Sequence, residues 1–82
     1  MHNILPGTLI QVNCNKTMRQ IFGHILFLTN MQYTKHHALR NGDIFLVADL
    51  SKSENWYEVW MEGESYWIEK FHLHNQYVFK KV

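Results

Sequence analysis

Six histidines, one cysteine and seven carboxylates are the side chains of this 82-residue chain that could do chemistry. Hydrolysis needs a nucleophile, a base and a group that orients the base. Cys14, a histidine and Asp49 supply the types, but no motif surrounds Cys14. That cysteine also continues the apolar alternation Ile10, Val12, Cys14, which predicts a buried structural thiol. A metal centre needs three or four convergent ligands. The chain has no CxxC and no HExxH. His72 and His74 would share a face if their segment is extended, whereas the adjacent His36 and His37 would point apart. No glycine-rich phosphate loop occurs. The residue types therefore predict a protein that is not an enzyme and holds no metal or cofactor. Its histidines would make the surface charge sensitive to pH near neutrality.

Two groups of residues have the types for binding. Alternation sends Trp56, Glu58 and Trp60 to one face of their strand and Tyr57, Val59 and Met61 to the other, core face. Trp67 and Glu69 share a face of the next strand. Together with His72 at the edge, these residues form a candidate surface for a protein partner. The aromatics would supply buried area and the acids would steer a basic partner. The alternative is that the rings cover the open end of a small barrel, or that the two faces are reversed. The second group is Lys16, Arg19, Lys35 and Arg40, near Tyr33, His36 and His37, a candidate basic loop surface for nucleic acid.

Charge along the chain bears on both groups. Residues 1–42 hold no acid, and residues 43–69 hold all seven with only Lys52 in opposition. Either the body carries two oppositely charged surfaces, or its halves pair strands and neutralise each other. The net charge of +1 is not a strongly basic footprint, and the aromatics sit among acids that repel phosphate. A protein partner is the leading expectation and nucleic acid the alternative.

The elements that must position these residues are short. Eighty-two residues predict one domain, spanning 1–82, with one small core. At 46% hydrophobic and 18% charged, the composition is that of a folded chain. One cysteine allows no intrachain disulfide and favours a reducing, cytoplasmic setting. The longest apolar stretch, Ile25–Leu28, is far short of the ~20 residues of a membrane span, and no basic start leads into an apolar run.

Pro6-Gly7 marks a turn before a strand at Thr8–Cys14. Residues 17–22 read as irregular. His24–Thr29 reads as a strand apolar on both faces and so central. Asn30–Asn41 reads mainly as loop. Asn41-Gly42-Asp43 is a turn into a strand at Ile44–Leu50. Trp56–Glu62 is a strand, Gly63-Glu64-Ser65 a tight turn, and Tyr66–Glu69 the next strand. Lys70–Leu73 reads as a 3₁₀ turn and Tyr77–Val82 as the last strand. The edge of that strand at Tyr77–Phe79 could pair with a second copy to give a homodimer. No helical period is sustained. The expectation is an all-β barrel of five or six short antiparallel strands.

Gly42-Asp-Ile-Phe-Leu-Val47, Trp56-Tyr-Glu-Val-Trp60, Gly63 and Trp67-Ile-Glu-Lys-Phe-His-Leu73 together resemble the SH3 pattern over roughly 32 residues. The resemblance implies an SH3-like barrel with a 3₁₀ turn before its last strand. It puts Val59, Ile68 and Leu73 in the core and Trp56 in the ligand-gripping position. Glu69 and His72 stand where the family has a groove proline and tyrosine, and the family's Ala-Leu-Tyr-Asp-Tyr opening is missing. These departures argue against a proline-rich ligand, which needs an aromatic-lined groove. KOW and Tudor barrels share much of this strand rhythm, and the nucleic-acid alternative draws on them. A stand-alone barrel of this size also resembles small accessory proteins of bacteria and their phages, which bind and inhibit or redirect a larger partner. The chain is expected to act in that way, as a complete protein.

Overall fold

Strands form where apolar side chains recur at every second residue, and turns form where glycine permits positive φ. In the computed structural model the described residues are 4–13, 20–21, 23, 26–30, 32, 34–51 and 53–82. The readings placed on Cys14, Lys16, Arg19, His24, Tyr33 and Lys52, and on residues 17–19 and 22, lie outside them. Among the described residues there are seven strands: β1 (Leu9–Val12), β2 (Phe27–Asn30), β3 (His36–Ala38), β4 (Ile44–Asp49), β5 (Trp56–Met61), β6 (Glu64–Glu69) and β7 (Phe79–Lys81). One helical turn, α1 (Lys70–Leu73), follows β6.

All pairings are antiparallel, in the order β3-β2-β6-β5-β4-β1-β7. The chain is thus all-β, as expected, but it has seven strands instead of five or six. The sheet is also open: among the described residues no ladder joins the edge strands β3 and β7.

The additional strand is β3, which falls in the segment read as loop. Its three residues, His36-His37-Ala38, carry little strand propensity of their own, and pairing with β2 defines it. Asn30 holds the connecting loop. Its Oδ1 accepts from the Thr34 and Lys35 amides at 2.8 and 3.1 Å, and its own amide donates to the Lys35 carbonyl at 2.9 Å. The expected 3₁₀ turn is α-helical, because the His74 amide donates to the carbonyl four residues back, Lys70, at 3.2 Å.

One face of the sheet carries the core. Ile10, Val12, Leu28, Phe45, Val47, Val59, Ile68 and Phe79 are all at most 2% exposed, and Leu73 and Val78 join them from beyond β6. Among the described residues the only helical side chains against this face are Leu73 of α1 and the partly buried Ile21, so the sheet must curve around it. Two ring pairs close over this face. Phe45 and Phe79 meet at 6.1 Å across the intervening β1, and His37 and Tyr66 at 6.5 Å across β2. A register shift between Val47 and Asp49 bends β4 further.

The β5–β6 hairpin turns at Glu62-Gly63, not at Gly63-Glu64-Ser65, and Met61 pairs with Glu64. Glu62 has φ 51° and Gly63 φ 78°, so both central residues are left-handed, as a two-residue type I′ turn requires. Gly63 meets that requirement without strain, whereas Glu62 is the lone non-glycine residue at positive φ among the described residues. Asn tolerates this region better than Glu. Glu62→Asn should therefore stabilise the fold by about 0.5–1 kcal/mol in a denaturant melt. An unchanged midpoint would count against the turn as described.

Candidate aromatic interface

Trp56, Glu58 and Trp60 lie on the face of β5 opposite the buried Tyr57, Val59 and Met61, as alternation predicts. Register then aligns the convex face in rows. Leu9, Leu46, Trp60 and Ser65 are successive partners across β1, β4, β5 and β6. Asp49, Glu58, Trp67, Thr29 and His36 form the next row, across β4, β5, β6, β2 and β3. Trp56 pairs with Glu69 in a third. Five of the six expected partner-binding residues therefore share one face.

That face is apolar well beyond the tryptophans. Trp60 is 50% exposed, Leu9 and Ile44 each 46%, and Phe27 51%. Sequence reasoning missed Leu9, Ile44, Leu46 and Phe27. The available signal was that β4 is apolar at Ile44, Leu46 and Ala48 as well as at Phe45 and Val47, so both of its faces are apolar.

Glu58 departs from the expected exposed acid. It is 7% exposed and accepts a 2.6 Å hydrogen bond from the Ser65 hydroxyl. A buried carboxylate held in this way fixes the β5–β6 pair and offers little to a partner. Glu69 remains partly open, and its Oε2 lies 3.7 Å from His72 Nδ1.

His72 completes a groove of about 200 Å³. Its walls are Leu26, Phe27, Thr29, Trp56, Ile68, Glu69 and His72. A second cleft on the other side of Trp56 is lined by Glu54, Asn55, Glu69, Lys70 and Phe71. Trp56 and Glu69 thus border two concavities, with carboxylates beside the indole. Such a site can bury an apolar side chain against Trp56 and place a neighbouring cation against Glu69.

The other described histidines are engaged elsewhere. Because Lys70–Leu73 is helical and not extended, His72 and His74 do not act as a pair. His74 Nε2 lies 2.8 Å from the Tyr57 hydroxyl. His36 and His37 diverge, the first with Nδ1 3.0 Å from Thr29 Oγ1, the second with Nε2 3.0 Å from Asp43 Oδ2. No group of three or more His, Cys, Asp or Glu among the described residues has metal-binding geometry. No helix among them is long and apolar enough to cross a membrane.

Of the basic candidates, Lys16 and Arg19 lie outside the described residues, and Arg40 is exposed before the Asn41-Gly42 turn. Lys35 is spent within the fold. Its Nζ lies 2.7 Å from Glu64, which also accepts from the Tyr66 hydroxyl at 2.7 Å. Here the basic and acidic halves neutralise each other across the β2–β6 pairing.

The Lys35 ammonium, and then the Tyr66 hydroxyl, hold the Glu64 carboxyl below its ordinary value of 4.5. A depressed carboxylate stabilises the fold above its unfolded pKa, and that contribution is lost as pH falls through the folded pKa. Thermal melts taken downward from about pH 5 should therefore show a falling midpoint. The fall should be shallower in Lys35→Met. An identical slope in the two proteins would show that the pair has no part in it.

No family model, curated protein or solved structure matches the chain.

Proposed function

We propose that this chain is a non-catalytic module that binds another protein through the convex aromatic face of β5 and β6. The observation that carries this is the gathering of Trp56, Trp60, Trp67 and Glu69 with Leu9, Leu46 and Phe27 on one side of a sheet whose other side is the core. Trp60, Leu9 and Phe27 each leave about half of their surface in water, and that exposed apolar area gains nothing for the monomer's fold. Tryptophan is also the residue type most enriched at interface hot spots.

The finer reading is an SH3-like topology. Supporting it are a β4-β5-β6 meander, a helical turn after β6, a final strand beside β1, and Val59, Ile68 and Leu73 in the core. The groove at Trp56, Glu69 and His72 lies among the positions that the resemblance assigns to ligand. With an acid and an imidazole in place of proline and tyrosine, it fits a ligand with an apolar anchor and a basic neighbour better than a polyproline helix. On this reading the protein acts as a small accessory or inhibitor that redirects a larger partner in the cytoplasm.

A self-paired dimer through β7 is less favoured, since Lys80 and Lys81 make up two of its three residues and like charges guard an edge. The test of the proposal is affinity capture from the source cells with wild type and Trp60→Ala in parallel, each with and without nuclease. A protein retained by wild type through nuclease treatment and lost by the variant supports it. Equal retention by both sinks it.

A further inference from the structure

Residues 70–82 contain Lys70, Lys80, Lys81, His72 and His74, and no Asp or Glu. The same segment shows two rings to solvent: Phe71 is 70% exposed and Tyr77 84%. Tyr77 lies in neither cleft beside Trp56, whereas Phe71 also lines the second of them. Both line one open cleft of about 620 Å³, together with His74, Asn75, Gln76 and Lys80.

The exposure of Tyr77 is built into the turn. Asn75 Oδ1 accepts from the Tyr77 amide at 3.0 Å, and the Asn75 carbonyl accepts from the Val78 and Phe79 amides at 3.2 and 3.0 Å. Val78 and Phe79 are fully buried. With the chain pinned inward at those two residues and closed by Asn75, Tyr77 is left on the outside. The ring is thus held ready for a partner at low ordering cost.

The electrostatics of this cleft set it apart. Its lining has no carboxylate, whereas glutamates line both clefts beside Trp56: Glu69 in one, Glu54 and Glu69 in the other. Two exposed rings beside a lysine, in a lining without a carboxylate, suit an anionic ligand with flat apolar faces. Single-stranded nucleic acid repeats that combination at every unit, with a base to stack and a phosphate to pair. The exposed Gln76 amide adds a donor and an acceptor for a base edge.

We infer that the Phe71–Tyr77–Lys80 cleft binds single-stranded nucleic acid, with bases stacked on the two rings and a phosphate against Lys80. The basic element of this cleft is the C-terminal segment. Phe71 also lines the second cleft beside Trp56, but Tyr77 and Lys80 line neither concavity there, so variants at those two positions test this inference apart from the protein-binding reading.

Fluorescence anisotropy with a labelled oligothymidylate of about 12 nucleotides, long enough for a small site, tests it. Wild type should bind at low salt and lose affinity with rising salt, with a log–log slope of about 0.7 per phosphate contact. Tyr77→Ala and Lys80→Glu should each weaken binding about tenfold or more, and Tyr77→Phe, which keeps the stacking face, should restore it. Trp60→Ala should bind as wild type does. Tyr77 and Lys80 are exposed, so both variants should melt as wild type does. The inference is overturned by absence of binding at low salt, or by wild-type affinity in both Tyr77→Ala and Lys80→Glu. It is also overturned if thymidine monophosphate or a polyglutamate peptide displaces the strand as well as unlabelled oligonucleotide does.

Discussion

Phe45→Ala will leave most of the chain unfolded at physiological temperature. Phe45 is 1% exposed, pairs with Ile10 in register, and meets the Phe79 ring at 6.1 Å and 67°. It therefore ties β4 to β7 across β1, where the curved sheet turns back over its core. Truncating a buried phenylalanine costs roughly 3–5 kcal/mol, through lost transfer energy and the cavity left behind. A domain of this size holds about 4–12 kcal/mol in all, and a single small core puts it toward the lower end. The loss takes up most of that margin. The expected result is a fall in melting temperature of at least about 12 °C, with dye-accessible apolar surface. Phe45→Leu keeps most of the volume and should retain a cooperative melt at a smaller cost, about 1–1.5 kcal/mol. If Phe45→Ala melts within a few degrees of wild type, the β1–β4–β7 packing described above is wrong.

The same packing shows which parts of the fold could be read from residues. β5 could, because Tyr57, Val59 and Met61 alternate cleanly with Trp56, Glu58 and Trp60, and period two fixes faces directly. Gly42 and Gly63 located turns because only glycine takes φ of 97° and 78° without strain. The turn at Gly63 still came out displaced, since a type I′ turn needs a second left-handed residue and nothing in a glutamate advertises that role at position 62. β3 was illegible for a different reason. Its pairing is imposed by β2 and by the Asn30 side chain, so the information lies in a tertiary contact and not in His36-His37-Ala38.

The candidate site divides along the same line. Alternation gives the face of a side chain but not its depth. Glu58 was therefore placed correctly beside the tryptophans and wrongly in solvent. Ser65 and the cross-strand neighbours Asp49 and Trp67, placed by register between strands, crowd it. Lys35 is the converse case: its charge is plain in the sequence, but its partner Glu64 is twenty-nine residues away. Phe27 reads as one more apolar residue in an apolar run, and only the placing of β2 against β6 makes it a wall of the Trp56 groove.

Trp60→Ala should abolish partner capture while leaving the fold intact. Trp60 is half-exposed, flanked by Leu46 on one strand and Ser65 on the other, with Leu9 beyond. It therefore stands within an apolar row, the setting in which a tryptophan loses most water on association. Central aromatic anchors of this kind cost about 2 kcal/mol or more when truncated, which is about thirtyfold or more in dissociation constant. A cross-strand pair at a half-open site contributes only about 0.2–1 kcal/mol to the fold, so melting should shift by a few degrees at most. The two readouts are thus expected to separate. Trp56→Ala should weaken capture in the same direction, since it removes the shared wall of two clefts and leaves Glu69 without its cross-strand neighbour. Glu58→Gln discriminates between two accounts of the acids. If the acids steer the partner, neutralising this buried one should barely change the association rate, because it sees little solvent and its charge is tied to Ser65. A large fall in association rate with an unchanged melt would mean instead that the face opens on binding and that Glu58 is a direct contact.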